Sequence, residues 1–329
     1  GFERRPRDVK RDLENSAKTA QWLDERTPEL AKRFGAPPFS VLDARRGYWR
    51  QRKAYWDSRY NLRSELGRPD NLLGYKDFGG VQNKGTSIFC PVLAELVYRW
   101  FCPAGGAVLD PFAGGSVRGC VAARLGLRYV GIDLSSEQID ANKKQAAEIR
   151  QLCKEDGLRW RHPEWILEDS RRLNEMDELP PKSFDLIFSC PPYYDLEQYS
   201  TDAADLSRAE SYESFLSAYR AIIAASLRRL APKRFACFVV GDVRDADGFL
   251  RNLVGDTVDA FSAAGGKLYN SAVMLMPLHT LPMRAPQAFA ASAKLGMGHQ
   301  HLLVFYTGRS PNKEVRSLGT NASRPLEWT

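Results

Sequence analysis

Two strand-end signatures in this 329-residue sequence hold residue types that could do chemistry. The first is VLDPFAGGSVRG (108–119), where an apolar strand ends in Asp110, a glycine turn follows at Gly114 and Gly115, and a helix begins near Ser116. Such a loop lets the backbone approach a ligand at the carboxyl edge of a sheet. One strand later, GIDLSS sets Asp133 at a strand end, where an acid in such folds grips the vicinal hydroxyls of a ribose. Together they indicate a nucleotide-containing cofactor, without separating a dinucleotide from S-adenosylmethionine. A dinucleotide-dependent dehydrogenase would carry GxGxxG at the first turn, and DPFAGGS does not fit that pattern. The second signature is FDLIFSCPPYYD (184–195), which ends in Ser189, Cys190, Pro191, Pro192 and Tyr193. Two consecutive prolines cannot continue a strand ladder; they stiffen the chain and aim the carbonyls before them outward.

Positioning these groups takes a sheet covered on both faces. AVLDPF (107–112), YVGIDL (129–134), EWILED (164–169), FDLIFSC (184–190) and ACFVVGD (236–242) are short continuous apolar runs, as expected of strands buried on both sides. Between them, PVLAELVYRWF, SVRGCVAARLG, SSEQIDANKKQAAEIRQLCKEDG and YESFLSAYRAIIAASLRRL place apolar residues at helical spacing. That succession predicts βαβ units and a parallel sheet. KLYNSAVMLMPL (267–278) and HLLVFYTG (301–308) show no ordinary helical pattern between them and suit an antiparallel closing pair.

With the double proline at the end of the fourth of these strands, the sequence resembles the DNA amino-methyltransferases, whose hallmark is Asp, Asn or Ser followed by Pro-Pro-Tyr or Pro-Pro-Phe. DPFAGG matches that family's cofactor loop nearly letter for letter, and TSIFCPVLAELVYRWFCPAGGAVLDPFAGG (86–115) is similar to its cofactor-covering segment as found in phage-type DNA methylases. The resemblance spans about residues 86 to 308. It implies a class I methyltransferase fold: a Rossmann-like doubly wound sheet, mostly parallel with an antiparallel last strand, using S-adenosyl-L-methionine to methylate a base of double-stranded DNA. By the same resemblance the loop of Asp110, Pro111, Phe112, Ala113 and Gly114 would hold the methionine part of the cofactor, Asp133 its ribose, and Asp169 with Ser170 its adenine. Ser87 and Phe89 would cover it. Tyr193 would stack on a target base turned out of the duplex, since an atom inside a stacked pair cannot reach the methyl group. Structural roles for two of these remain open at this point: Asp169 as a helix N-cap and Tyr193 as packing. Asp110 and Asp133 are both expected over a ligand rather than in the core.

The motif departs from the family at Cys190. An exocyclic nitrogen is conjugated to its ring and must be hydrogen-bonded into a more nucleophilic state; a thiol accepts weakly, which leaves the Pro191 carbonyl. The preferred expectation is therefore nitrogen methylation, at N4 of cytosine or N6 of adenine. An ionised Cys190 could instead attack carbon 6 of a cytosine and activate carbon 5, with Asp195 or Glu197 assisting as an acid. That second class, however, carries its nucleophile after one proline rather than before two. A non-catalytic DNA-binding protein on the same scaffold is the alternative from outside enzymology.

Composition agrees with a nucleic-acid partner. Of the formal net charge of +7, most lies in residues 1 to 60, which hold fifteen Lys/Arg against nine Asp/Glu. There, RRGYWRQRKAYWDSRY (45–60) interleaves Arg46, Arg50 and Lys53 with Tyr48, Trp49, Tyr55 and Trp56, and the aromatics recur seven apart on one face. That face suits docking on the catalytic domain, which leaves the basic face for phosphates. A second DNA contact is expected in MPLHTLPMRAPQAFAASAKLGMGHQH (276–301), where Arg284, Lys294 and His299 lie among glycines and prolines in a connection far longer than a closing hairpin needs. The expected organisation is a basic helical extension and linker over 1–85, the linker running from about 61 to 86, then a methyltransferase domain over 86–310 and a tail over 311–329. Six scattered cysteines without a CxxC pair argue against disulfides and zinc, and the histidines lack a metal-ligand arrangement. No apolar run suits a membrane span or a secretory signal, so a cytoplasmic protein without a metal is expected.

Overall fold

The computed structural model describes residues 29–63, 89–194, 204–279 and 281–319. Its strands are β1 (Val41–Asp43), β2 (Ala107–Asp110), β3 (Arg128–Asp133), β4 (Glu164–Leu167), β5 (Phe184–Ser189), β6 (Leu230–Val240), β7 (Lys267–Leu275) and β8 (His299–Tyr306). They form one sheet in the order β1-β7-β8-β6-β5-β2-β3-β4. Only β8 runs against its neighbours, pairing antiparallel with both β6 and β7. The sheet thus has the mostly parallel, doubly wound, class I methyltransferase arrangement with an antiparallel last strand.

Side-chain alternation along the strands divides the core into two layers. Val108, Leu186, Cys237 and Val304 face one cluster, while their chain neighbours Leu109, Ile187, Phe238 and Leu303 face the other. The first is covered by α1 (Gly47–Tyr60), α2 (Pro91–Phe101), α3 (Val117–Arg124) and α4 (Ser136–Glu155). The second is covered by α5 (Tyr212–Arg229) and α6 (Leu253–Ala263), together with a 3-10 turn at Ser170–Glu175. Four of the cysteines, Cys102, Cys120, Cys153 and Cys237, are buried, and none of the six forms a disulfide. Burial raises the thiols of Cys102, Cys120 and Cys237.

Residues 41–60, expected in the extension, belong to this fold. β1 adds a strand beside β7, and Trp49 and Trp56 are 1% exposed in the first core cluster. The docked aromatic face agrees with the seven-residue spacing. Its lock was not legible: Arg52 donates to both carboxylate oxygens of Glu95 on α2, at 2.7 and 2.6 Å, and Trp56 Nε1 donates to the same group at 2.8 Å, all buried. A carboxylate on the covered face of an apolar helix needs such partners.

The connection between β7 and β8 contains a helix, α7 (Leu281–Ser292), where none was expected. It has no buried residue and carries Pro286 inside it, so the buried apolar stripe that signals a helix in a sequence is missing. No helix among the described residues is long and apolar enough to cross a membrane.

Candidate functional site

Parallel strands bring their carboxyl ends to one edge, so Asp110, Asp133, Ser189 and Val240 end together there, and the connections after β6 and β7 begin there. This placement follows from topology alone.

Asp110 is at the strand end as expected, but in the core: it is 0% exposed. The reason is a set of inward partners. Arg118 Nε donates to one carboxylate oxygen at 2.6 Å and Tyr129 to the same oxygen at 2.8 Å, while Ser189 donates to the other at 2.5 Å. Arg118, itself buried, reaches on through Nη2 to the carbonyls of Phe112 and Ala113, at 2.6 and 2.9 Å. Burial opposes its charge, yet Asp110, Tyr129 and Cys190 hold the guanidinium above its ordinary value. Asp110 therefore holds the loop both through Arg118 and directly, accepting from Phe112 N at 3.3 Å. Phe89 places its ring 4.7 Å from the guanidinium and edge-on to Phe188.

The rest of the loop is satisfied from within. Ala113 N donates to the Ile132 carbonyl at 3.0 Å, and Ser170 donates to the Pro111 carbonyl at 2.6 Å. Gly114 takes φ +51°, a left-handed conformation that suits glycine. Its carbonyl accepts from Asn142 at 2.7 Å, and Asn142 is held in turn by Gln138. Gly131 lets the loop close on β3: a Cβ there would meet the Ala113 Cβ at 2.8 Å and the Tyr129 hydroxyl at 2.9 Å. Phe112 packs near Tyr219 and Phe238.

Asp133 is half-buried, and its two oxygens accept from Gly114 N at 2.7 Å and Ser135 N at 2.9 Å. Asp169 caps the 3-10 turn, accepting from Arg171 N at 2.8 Å and pairing with the Arg171 guanidinium. Ser87 lies outside the described residues, as do Asp195 and Glu197.

The Cys-Pro-Pro-Tyr segment leaves β5 beside this loop. Cys190 and Tyr193 are half-buried, with the Cys190 Sγ 3.7 Å from the Tyr193 hydroxyl. That hydroxyl also accepts from Gln300 Nε2 at 3.1 Å and donates to the Val239 carbonyl at 3.4 Å. Tyr194 follows at φ +55°, a conformation costly for a bulky residue. It is buried against Tyr212 and Phe215, with the Arg251 guanidinium 4.8 Å from its ring centroid. The turn after Tyr193 is therefore fixed by an aromatic cluster.

Of the residues expected to touch DNA, Arg46, Arg50 and Lys53 lie exposed along α1, flanking the face that buries Trp49 and Trp56. Arg284 is exposed on α7, and the Lys294 side chain lies over Gly248. His299 stacks edge-on with His301 at 5.2 Å, and burial, then His299, lowers the His301 pKa. Among the described residues no group of His, Cys, Asp or Glu could hold a metal. Arg118, Tyr129 and Asn142 were not singled out by the sequence, nor was the bond of Ser189 to Asp110; a polar residue inside an apolar strand or on a buried helix face is the only signal they leave.

No protein-family model matches the chain, and no curated protein matches it. Similar solved structures include a Thermus thermophilus protein provisionally described as a DNA modification methylase, complexed with S-adenosyl-L-methionine. It is 21% identical over 45% of this chain, with a TM-score of 0.32, and this chain covers 56% of its length. A TehB-like SAM-dependent methyltransferase from Corynebacterium glutamicum is 18% identical over 67% of this chain and 89% of its own, with a TM-score of 0.38. The [4+2]-cyclase SpnF is 17% identical over 71% and 85%, with a TM-score of 0.43.

Proposed function

We propose that this chain transfers a methyl group from S-adenosylmethionine to a base of double-stranded DNA, at an exocyclic amino nitrogen of cytosine (N4) or adenine (N6). The observation that carries the reading is the Ser189–Asp110 hydrogen bond. It ties the glycine loop to the residue immediately before Cys190, so the loop suited to a donor and the segment suited to a target base lie at the ends of two adjacent strands.

The site fits such a donor. The loop is already folded, and the half-exposed Asp133 is held against it by Gly114 and Ser135. A carboxylate has roughly four acceptor positions, so it can take a ribose diol as well as these two backbone groups. Bound S-adenosylmethionine would supply an electrophilic methyl carbon on its sulfonium. On the acceptor side, the Pro191 carbonyl, assisted by Cys190, would draw the amino protons and localise the nitrogen lone pair. Tyr193 offers a ring already held by its hydroxyl, so a flipped base would meet a surface that need not be ordered first. The reading is tested by incubating plasmid DNA with the protein and methyl-labelled donor, then identifying nucleosides by mass spectrometry. Labelled N4-methylcytosine or N6-methyladenine is expected. 5-Methylcytosine would overturn the nitrogen chemistry, and no labelled nucleoside would overturn DNA as substrate.

The duplex has a place to lie. β1, the outermost strand, ends at the sheet's carboxyl edge and α1 begins four residues later, so Arg46, just before α1, lies toward the edge at which the site opens, three strands removed from β5. Replacing Arg46, Arg50 and Lys53 together by glutamine is expected to flatten the log–log salt dependence of DNA binding by about two to three units. Titrations over a range of salt concentrations measure it, and an unchanged slope would remove α1 from the interface.

A further inference from the structure

The connection after β6 contains a small hairpin whose root is packed and whose tip is exposed. Arg251 N donates to the Val243 carbonyl at 2.9 Å at its root, Arg244 bridges Leu250, and Asp245 N donates to the Phe249 carbonyl at 2.9 Å. The Asp245 side chain accepts from Gly248 N and Phe249 N, both at 2.8 Å, and Arg244 Nη1 donates to the Gly248 carbonyl at 2.7 Å. Gly248 sits at φ +98° beneath Lys294, where a Cβ would lie 2.6 Å from the ammonium nitrogen. This lattice holds Phe249 out in water at 73% exposure, with Leu250 at 48%. A turn so fully bonded could close around any residue; it presents an apolar group that burial in its own fold does not use.

The hairpin is also tied to the Cys-Pro-Pro-Tyr segment. Arg251 at its root lies over the rings of Tyr194 and Tyr212, and Gly241, where the connection starts, approaches the Tyr193 ring so closely that a Cβ would be 3.4 Å away. On its other side stands the 276–301 connection, which carries Arg284 and Lys294 and no carboxylate.

Resting on the DNA-base reading above, we propose that Phe249 is a wedge that enters the base stack of the duplex and fills the space left when the target base turns out toward Tyr193. Apolar side chains inserted between base steps elsewhere partially unstack them and kink the duplex, and extruding a base requires such unstacking. Reach is adequate: two residues of strand carry the tip about 7 Å from the root before the ring is added, against a major groove about 8.5 Å deep. Lys294 beside the tip supplies positive charge for a flanking phosphate.

The test uses the full chain and two oligonucleotide duplexes containing the sequence found methylated in plasmid DNA, with the target base either paired or opposite an abasic position. Phe249→Ala is expected to lower kcat/KM on the paired duplex by roughly ten- to a hundredfold, because opening costs a few kcal/mol. On the abasic duplex, where the pair is already broken, it should come within about threefold of the unaltered protein; Phe249→Trp should stay active on both. Equal losses on the two duplexes, or no loss on the paired one, would overturn the wedge while leaving the methyltransferase reading intact. An unaltered protein that methylates no DNA would overturn both. Phe249 is exposed, so an unchanged thermal melt is expected and checks that the variant folds.

Discussion

Asp110→Ala is expected to lower folding stability by about 3–5 kcal/mol, the range found when one partner of a buried ion pair is removed. The carboxylate is fully buried, and its loss leaves the Arg118 guanidinium charged in the core at 5% exposure. Tyr129 and Ser189 lose their acceptor in the same step. Arg118 would then no longer be aimed at the Phe112 and Ala113 carbonyls, so donor affinity should fall together with stability. Asp133→Ala provides the contrast. Its half-exposed carboxylate accepts two backbone N–H groups that water can reach, and its removal should cost on the order of 1 kcal/mol of stability. Donor binding should nevertheless be lost if Asp133 holds the ribose. Urea denaturation and calorimetry with S-adenosylmethionine measure both quantities. An Asp110→Ala protein as stable as the unaltered chain would show that the Arg118 pair is not what holds the loop.

That contrast shows what the residue pattern reveals and what it hides. Both aspartates end apolar strands and precede turns, so the sequence makes them equivalent and places both over a ligand. They differ because Arg118 lies at the start of α3 and Tyr129 one strand away, and the pairing of β2 with β3 and β5 brings Tyr129 and Ser189 onto the same carboxylate. Long-range register of this kind leaves no local periodicity. The strands and central helices were legible because burial on both faces leaves continuous apolar runs and stripes. α7 was not, because it buries nothing. β1 was missed because three residues, one of them buried, are too few to show a period. The same limit hid the hairpin before α6, whose order comes from Asp245 and Gly248 rather than from hydrophobicity.

Replacing Cys190 by serine gives opposite outcomes for the two chemistries the motif allows, and the expected outcome is an active enzyme. In the nitrogen reading a hydroxyl accepts an amino proton better than a thiol does, so Cys190→Ser should keep or raise the rate. The half-buried site has room for the change, since oxygen is smaller than sulfur and the Tyr193 hydroxyl is 3.7 Å away. The carbon-5 reading requires Cys190 to act as a thiolate nucleophile. If that thiolate attacked carbon 6 of cytosine, serine would be a far weaker nucleophile and the barrier would rise by on the order of 4 kcal/mol or more, close to a thousandfold in rate. Duplex DNA containing 5-fluorocytosine sharpens the comparison, because carbon 5 then has no proton to release and a Cys190 adduct would survive denaturation. Methyl transfer by Cys190→Ser at or above the original rate, with no adduct from either protein, is the expected result. A dead variant together with an adduct that disappears on Cys190→Ser would replace the nitrogen chemistry by attack at carbon 6.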